Sequence, residues 1–247
     1  MPYSKRICIL DEIRGTAVIL MILYHTLFSM TFLFHMEYFY PLMMKVFPYE
    51  PVIPILFISI CGIVCSFSRN NLKRGIKIFV GAFLVTAGTY IFIPEEVIIC
   101  GILHFLSAAL LLYTFTEKWI SKIPVMMGMT ISLLLFIAFY NVPNHYIGIL
   151  PYPSIRLPDE FYQYYILSFL GFPSTDFYSG DYFPLIPHIF LFFGGVFAGK
   201  YLKEKNLPNF MYKKYCPPLD FIGRHALIIY MVHQPVIIGI LYLYHMM

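Results

Sequence analysis

Asp11, Arg14 and His25 stand inside the apolar stretch from Cys8 to Met36, and His35 stands near its end. An imidazole exchanges a proton near neutral pH, and a guanidinium grips phosphate or carboxylate through parallel N–H donors. Together they offer proton transfer and anion binding. Each such group costs about 2.5–3.5 kcal/mol in a membrane helix on insertion scales, which makes it a functional candidate. At 100° per residue Arg14 and His25 differ by about 20°, share one face, and lie about 16 Å apart along the axis. One stripe thus joins a charged membrane boundary to an imidazole near mid-bilayer. The bland alternative is an i,i+3 charge pair at a helix start and a hydrogen-bonded bundle histidine.

Other polar residues occupy comparable depths. His104 lies in CGILHFLSAALLL, and His233 lies in FIGRHALIIYMVHQPVIIG beside Gln234 and Pro235. Pro235 removes a backbone hydrogen bond in mid-span, and a polar His-Gln-Pro facing lipid is untenable, so this segment must face the bundle. His25, His104 and His233 are expected at overlapping depths on three helices. Asp181 stands just outside the run DYFPLIPHIFLFFGGVFAG, with His188 a turn inside it. The turn RNNLKRGIK gathers Arg69, Lys73, Arg74 and Lys77, which suits either headgroup anchoring or phosphate binding. It is not a Walker motif, and the chain has no G-x-G-x-x-G, so a nucleotide-binding fold is unsupported. Cys61 and Cys65 share a helical face without a nearby His or carboxylate, so no metal site is expected. The five cysteines are scattered and imply no disulfide framework.

The elements that must position these residues are membrane helices. The chain is 60% hydrophobic and 12% charged, with a mean hydropathy of +0.74, against about 25% charged in soluble domains. Apolar runs near 13–34, 51–68, 78–93, 97–116, 123–140, 184–201 and 222–245 predict an all-α polytopic bundle of about seven spans, a single domain over residues 1–247. Continuous runs exclude the period-two strands of a membrane barrel. Of the 17 Lys and Arg residues, only Lys45 and Arg156 fall on one side of this arrangement, which places the N-terminus in the cytoplasm. The net charge of +4 is therefore a topology signal, and no nucleic-acid partner is expected. Lys5 and Arg6 before an apolar run imitate a signal peptide, but Asp11, Glu12 and Arg14 interrupt the run, so it reads as a retained first helix. Residues 36–50 read as an external loop. Residues 141–183 read as a long external lid, within which 161–172 forms an interfacial or re-entrant helix. Gly195 and Gly199 form a GxxxG face for helix contact.

The string LDEIRGTAVILMILYH resembles the signature D-x-x-R-G-x-A-x-x-x-M-x-x-x-H of bacterial membrane proteins similar to the catalytic domain of heparan-alpha-glucosaminide N-acetyltransferase, with Asp11, Arg14, Gly15, Ala17, Met21 and His25 in matching places. Further similar segments follow in order: GILH at His104, DYFPLIP after Asp181, and a closing motif with Gly223, Arg224, Tyr230, His233, Gln234 and Pro235. The departures are Ile60 and Cys61 between Ser59 and Gly62, and His188 in place of an aromatic residue. In the animal branch the position of His25 holds Asn, and a histidine lies about 11 residues later, near His35.

The resemblance implies an acyltransferase of the plasma membrane that moves an acetyl group from cytoplasmic acetyl-CoA to an amine or hydroxyl of an external, sugar-like acceptor. It makes His25, His35, Asp181 and His233 the catalytic candidates, with His25 preferred as base or acyl carrier. Asp11, Arg14, Arg69, Arg74, Lys77 and Arg224 become the candidates for holding the donor's phosphates. Partners are then acetyl-CoA, the acceptor and the bilayer, with a homodimer left open. The rival reading is a small-molecule or proton-coupled transporter, which would also use intramembrane His and Asp residues. Seven spans without an internal repeat fit that reading poorly.

Overall fold

A computed structural model describes residues 6–149, 151–152, 154–205 and 207–246. Lys5 and Met247 lie outside the described residues. The helices in chain order are α1 (Cys8–Phe28), α2 (Tyr40–Val46), α3 (Val52–Cys65), α4 (Asn71–Phe92), α5 (Ile102–Ile120), α6 (Val125–Phe139), α7 (Leu185–Glu204), α8 (Pro217–Arg224) and α9 (Ala226–Met246). Strands β1 (Tyr146–Ile147) and β2 (Ile155–Arg156) form one small antiparallel hairpin. The molecule is a helical membrane protein.

Among the described residues six helical runs are long and apolar enough to cross a bilayer: Cys8–Leu33, Glu37–Cys65, Asn71–Phe92, Val125–Asn144, Leu185–Glu204 and Ala226–Met246. The seventh expected span, α5, is 19 residues long and falls short in apolarity, because Glu117 and Lys118 occupy its last turns. Eight of its side chains, from Ile102 to Tyr113, are buried, and a helix sheathed by other helices needs less apolarity than one bathed in lipid. Two boundaries differ from the hydropathy pattern. Asn70 caps α4 by accepting the Lys73 backbone N–H at 2.7 Å, so the basic turn becomes the first turns of a helix. Residues 37–49 are helical rather than a loop, two short 3-10 turns flanking α2, which starts with Pro41 in its first turn. Within residues 141–183, 3-10 turns at Asp159–Tyr162 and Tyr165–Phe169 replace the expected interfacial helix, and Gly171 with φ of 127° ends them.

The chain forms two compact units, one of residues 1–57 and 207–247, the other of residues 58–206. In the first, α1 packs against α8 and α9. A Cβ on Gly15 would strike the Leu219 carbonyl oxygen, and one on Gly223 would strike that of Asp11. Two glycines therefore let two backbones touch. Val18, Met21 and Ala226 form the core above the crossing, enclosed by Ile22, Ile53, Phe57, Ile222, Ile229 and Tyr230. In the second unit α4 packs on α5 and α6 on α7. The GxxxG face is used there: Gly195 and Gly199 meet the carbonyls of Ser59 and Ile63, and Gly62 meets that of Phe192. Lys200 Nζ donates to the Ile120 carbonyl at 2.8 Å and Lys203 Nζ to that of Ser66 at 3.1 Å, so cations that mark topology also cap helix ends.

Candidate functional site

The charged end of α1 is built by its own first turns. Asp11 accepts from Arg6 Nε at 2.6 Å and from Arg14 Nη1 at 2.9 Å, and Arg14 also reaches the Gly223 carbonyl at 3.4 Å. The neighbouring Glu12 is buried, and its Oε1 accepts the backbone N–H groups of Tyr215 and Cys216 at 2.7 and 2.9 Å, just before α8. On α8 itself the buried Asp220 takes Lys214 Nζ at 2.9 Å and Arg224 Nη2 at 3.0 Å. The Lys214 hydrogen bond, with the charge of Arg224 behind it, holds the Asp220 carboxyl below the usual carboxylate range. Because α1 and α8 cross at Gly15 and Gly223, these charges gather at one end of the unit.

Farther along α1, the His25 and His233 rings lie 5.0 Å apart, centroid to centroid. A one-turn offset in α9 defines the second ring: His233 Nδ1 donates to the Tyr230 carbonyl at 2.5 Å. A carbonyl only accepts, so in the neutral ring Nδ1 carries the proton and Nε2 the lone pair. Pro235 follows two positions later, and Gln234 Oε1 is buried without a hydrogen-bond partner. Tyr24 packs edge-on against His25 at 5.6 Å.

At its far end α1 loosens into a π-helical turn, Ser29–Leu33, a form common beside functional sites. His35 follows with a φ of 51°, a backbone region a non-glycine residue enters at a cost. There Thr31, His35, Glu37, Tyr40 and Pro41 line an open cavity of about 410 Å³. The hydroxyls of Ser29 and Thr31 are buried without partners.

The remaining predicted residues belong to the second unit. Asp181 Oδ2 accepts the Ile102 N–H at 3.1 Å, which caps α5. His104 Nε2 sits 3.2 Å from Thr86 Oγ1, whose own proton goes to the Ile98 carbonyl, so His104 is the donor of that pair. His188 Nδ1 donates to the Pro184 carbonyl at 3.0 Å. Arg74 is fixed by Asn71 Oδ1 at 3.0 Å, while Arg69 and Lys77 are exposed. Among the described residues no group of three His, Cys, Asp or Glu side chains could hold a metal ion. Spacing alone missed Glu12, Lys214, Asp220 and the cavity wall at Thr31, Glu37 and Tyr40. Asp220 had one visible signal, its i,i+4 relation to Arg224.

Fold and site together define a multi-pass helical membrane protein whose first helix carries a fixed arginine and a paired imidazole, with a cavity-lining histidine just past its end. The profile of one family, described as heparan-alpha-glucosaminide N-acetyltransferase, catalytic, matches residues 6–235, and the chain belongs to that family. The family brings a transmembrane acetyltransferase type of enzyme. No curated protein and no solved structure matches the chain.

Proposed function

We propose that residues 1–247 act as one membrane domain that accepts acetyl-CoA from the cytoplasm and transfers the acetyl group to an amine or hydroxyl of an external, sugar-like acceptor at the plasma membrane. The observation that carries this reading is the order along α1 and the segment after it: Arg14 anchored by Asp11, then His25 against His233, then, past the π-helical turn, His35 on the cavity wall. With the donor's phosphates at Arg14, the thioester must reach inward. The pantetheine arm is about as long as five extended residues, about 17 Å, which matches the roughly 16 Å of helix from Arg14 to His25. His35 follows the π-helical turn that extends α1 and lines the cavity assigned here to the acceptor.

In the transfer the acceptor nitrogen or oxygen attacks the thioester carbonyl, the carbon–sulfur bond breaks, and His25 takes the proton of the attacking group while CoA leaves. His233, its tautomer set by Tyr230, presents a second basic nitrogen to share that proton. General-base help of this kind contributes about 10²–10⁴ in rate. The cavity admits the acceptor, with Glu37 and Tyr40 as its polar walls. The test is purified protein with acetyl-CoA and glucosamine. A CoA-dependent rise in melting temperature and formation of an acetylated product support the reading. Neither at millimolar CoA would hand the polar path to the transporter.

A further inference from the structure

The acids and cations at the α1–α8 crossing are unequally placed. The carboxylates of Asp11 and Asp220 are 8% and 2% exposed, whereas Arg6, Arg14, Lys214 and Arg224 are 57%, 22%, 42% and 35% exposed. The acids are buried and the cations reach toward solvent. Each buried carboxylate holds two cations where one would neutralise it, and Glu12, the third acid, turns its Oε1 to two backbone N–H groups. One cation already neutralises each buried acid, and the more exposed second cation, Arg6 on Asp11 and Lys214 on Asp220, adds little stability of its own, about 0–1 kcal/mol for a solvent-exposed partner. A front of four cations held from behind is instead what receives a multiply charged anion, with Arg supplying paired donors and Lys a point charge.

We propose that the crossing of α1 and α8 is a polyphosphate site in which Arg6 and Lys214 join Arg14 and Arg224 against the ligand, while Asp11 and Asp220 are positioning residues that hold the four cations. The identification of the ligand as the phosphate-bearing part of CoA rests on the acetyl-transfer reading. Lipid headgroups at a membrane boundary offer the same phosphate chemistry, so the experiment separates the two sources.

Full-length protein in phosphatidylcholine nanodiscs is titrated with CoA, with adenosine 3′,5′-bisphosphate and with pantetheine. Wild type should bind the first two with a marked salt dependence. Arg6→Gln and Lys214→Gln should each weaken both by about tenfold or more, the loss of one charge-assisted contact, and leave pantetheine unmoved. Asp220→Asn should also weaken them, although it removes a negative charge. An acid that merely opposed the phosphates would on removal tighten binding, so tighter binding by this variant overturns the positioning role. Unchanged CoA affinity in Arg6→Gln and Lys214→Gln overturns the site while the acetyl-transfer reading stands. Stabilisation by phosphatidylglycerol in the discs that CoA fails to displace assigns the site to lipid and overturns it as a donor site. A wild type that binds no CoA overturns both. If Asp220→Asn does not fold, the two exposed cation variants decide the matter alone.

Discussion

His25 on α1 and His35 just past the helix's π-helical extension meet different surroundings, and the difference sets what each substitution should do. His25 lies against a second imidazole in the bundle, so His25→Ala should cut acetyl transfer by about 10²-fold or more while CoA still binds. His35 lines the open cavity proposed for the acceptor, so His35→Ala should chiefly raise the acceptor's KM. Steady-state kinetics with varied acceptor checks both, and a dead His35→Ala beside an active His25→Ala would reverse the assignment. Asp220 carries a pH prediction. Its carboxyl titrates lower in the folded protein than in the unfolded chain, so its stabilisation is complete above the unfolded value, about 4, and is lost as pH falls through the lower folded value. Asp220→Asn should lower the melting temperature at pH 7 and flatten its decline between pH 5 and pH 3. At this scale Asp11 with Arg14 was legible, because a three-residue spacing on a helix is a contact by geometry. His25 with His233 was not, since nothing in spacing brings together positions so far apart. Depth alone put the two rings, with His104, at one level of the bundle, and the resemblance made His25 and His233 members of one site.

At the scale of elements the glycines explain why this family signature carries Gly15 beside Arg14 and Gly223 beside Arg224. Each lets the backbones of α1 and α8 touch, and the arginines are thereby delivered to one end. Gly223→Ala has no space against the Asp11 carbonyl and should destabilise by about 1–3 kcal/mol or more, with weakened CoA binding. Gly239→Ala meets nothing within 4 Å on α9 and should stabilise by up to about 1 kcal/mol through helix propensity. Thermal unfolding of the two variants in one detergent makes the comparison, and equal effects would refute the close crossing. The long helices were legible from apolar runs because lipid demands them. The helical path over 37–49, read as a loop, was not: its residues alternate aromatic, Met and Pro types without a clean period, and Pro41 and Pro48 serve as helix starts. The start of α4 was also hidden, because a cap at Asn70 outweighs the run of basic residues that hydropathy reads as a turn.

For the whole molecule the count of spans decides which side the C-terminus faces. Six helices qualify by length and apolarity, and α5 makes a seventh only if enclosure by its neighbours compensates for Glu117 and Lys118. The skew of Lys and Arg favours seven with the N-terminus inside. In a cysteine-free background, a cysteine at Lys73 should be labelled from the cytoplasm and one at His245 from outside. Labelling of both from one side would require an even count. Topology then frames the central claim, that the acetyl group crosses the membrane within one chain. Sealed vesicles holding the protein, with acetyl-CoA on the cytoplasmic face and glucosamine only on the other, measure this directly. Acetylated glucosamine should accumulate on the acceptor's side at a rate that Arg14→Ala and His25→Ala abolish. Product formed only when donor and acceptor share a face, or none in any arrangement, would contradict it.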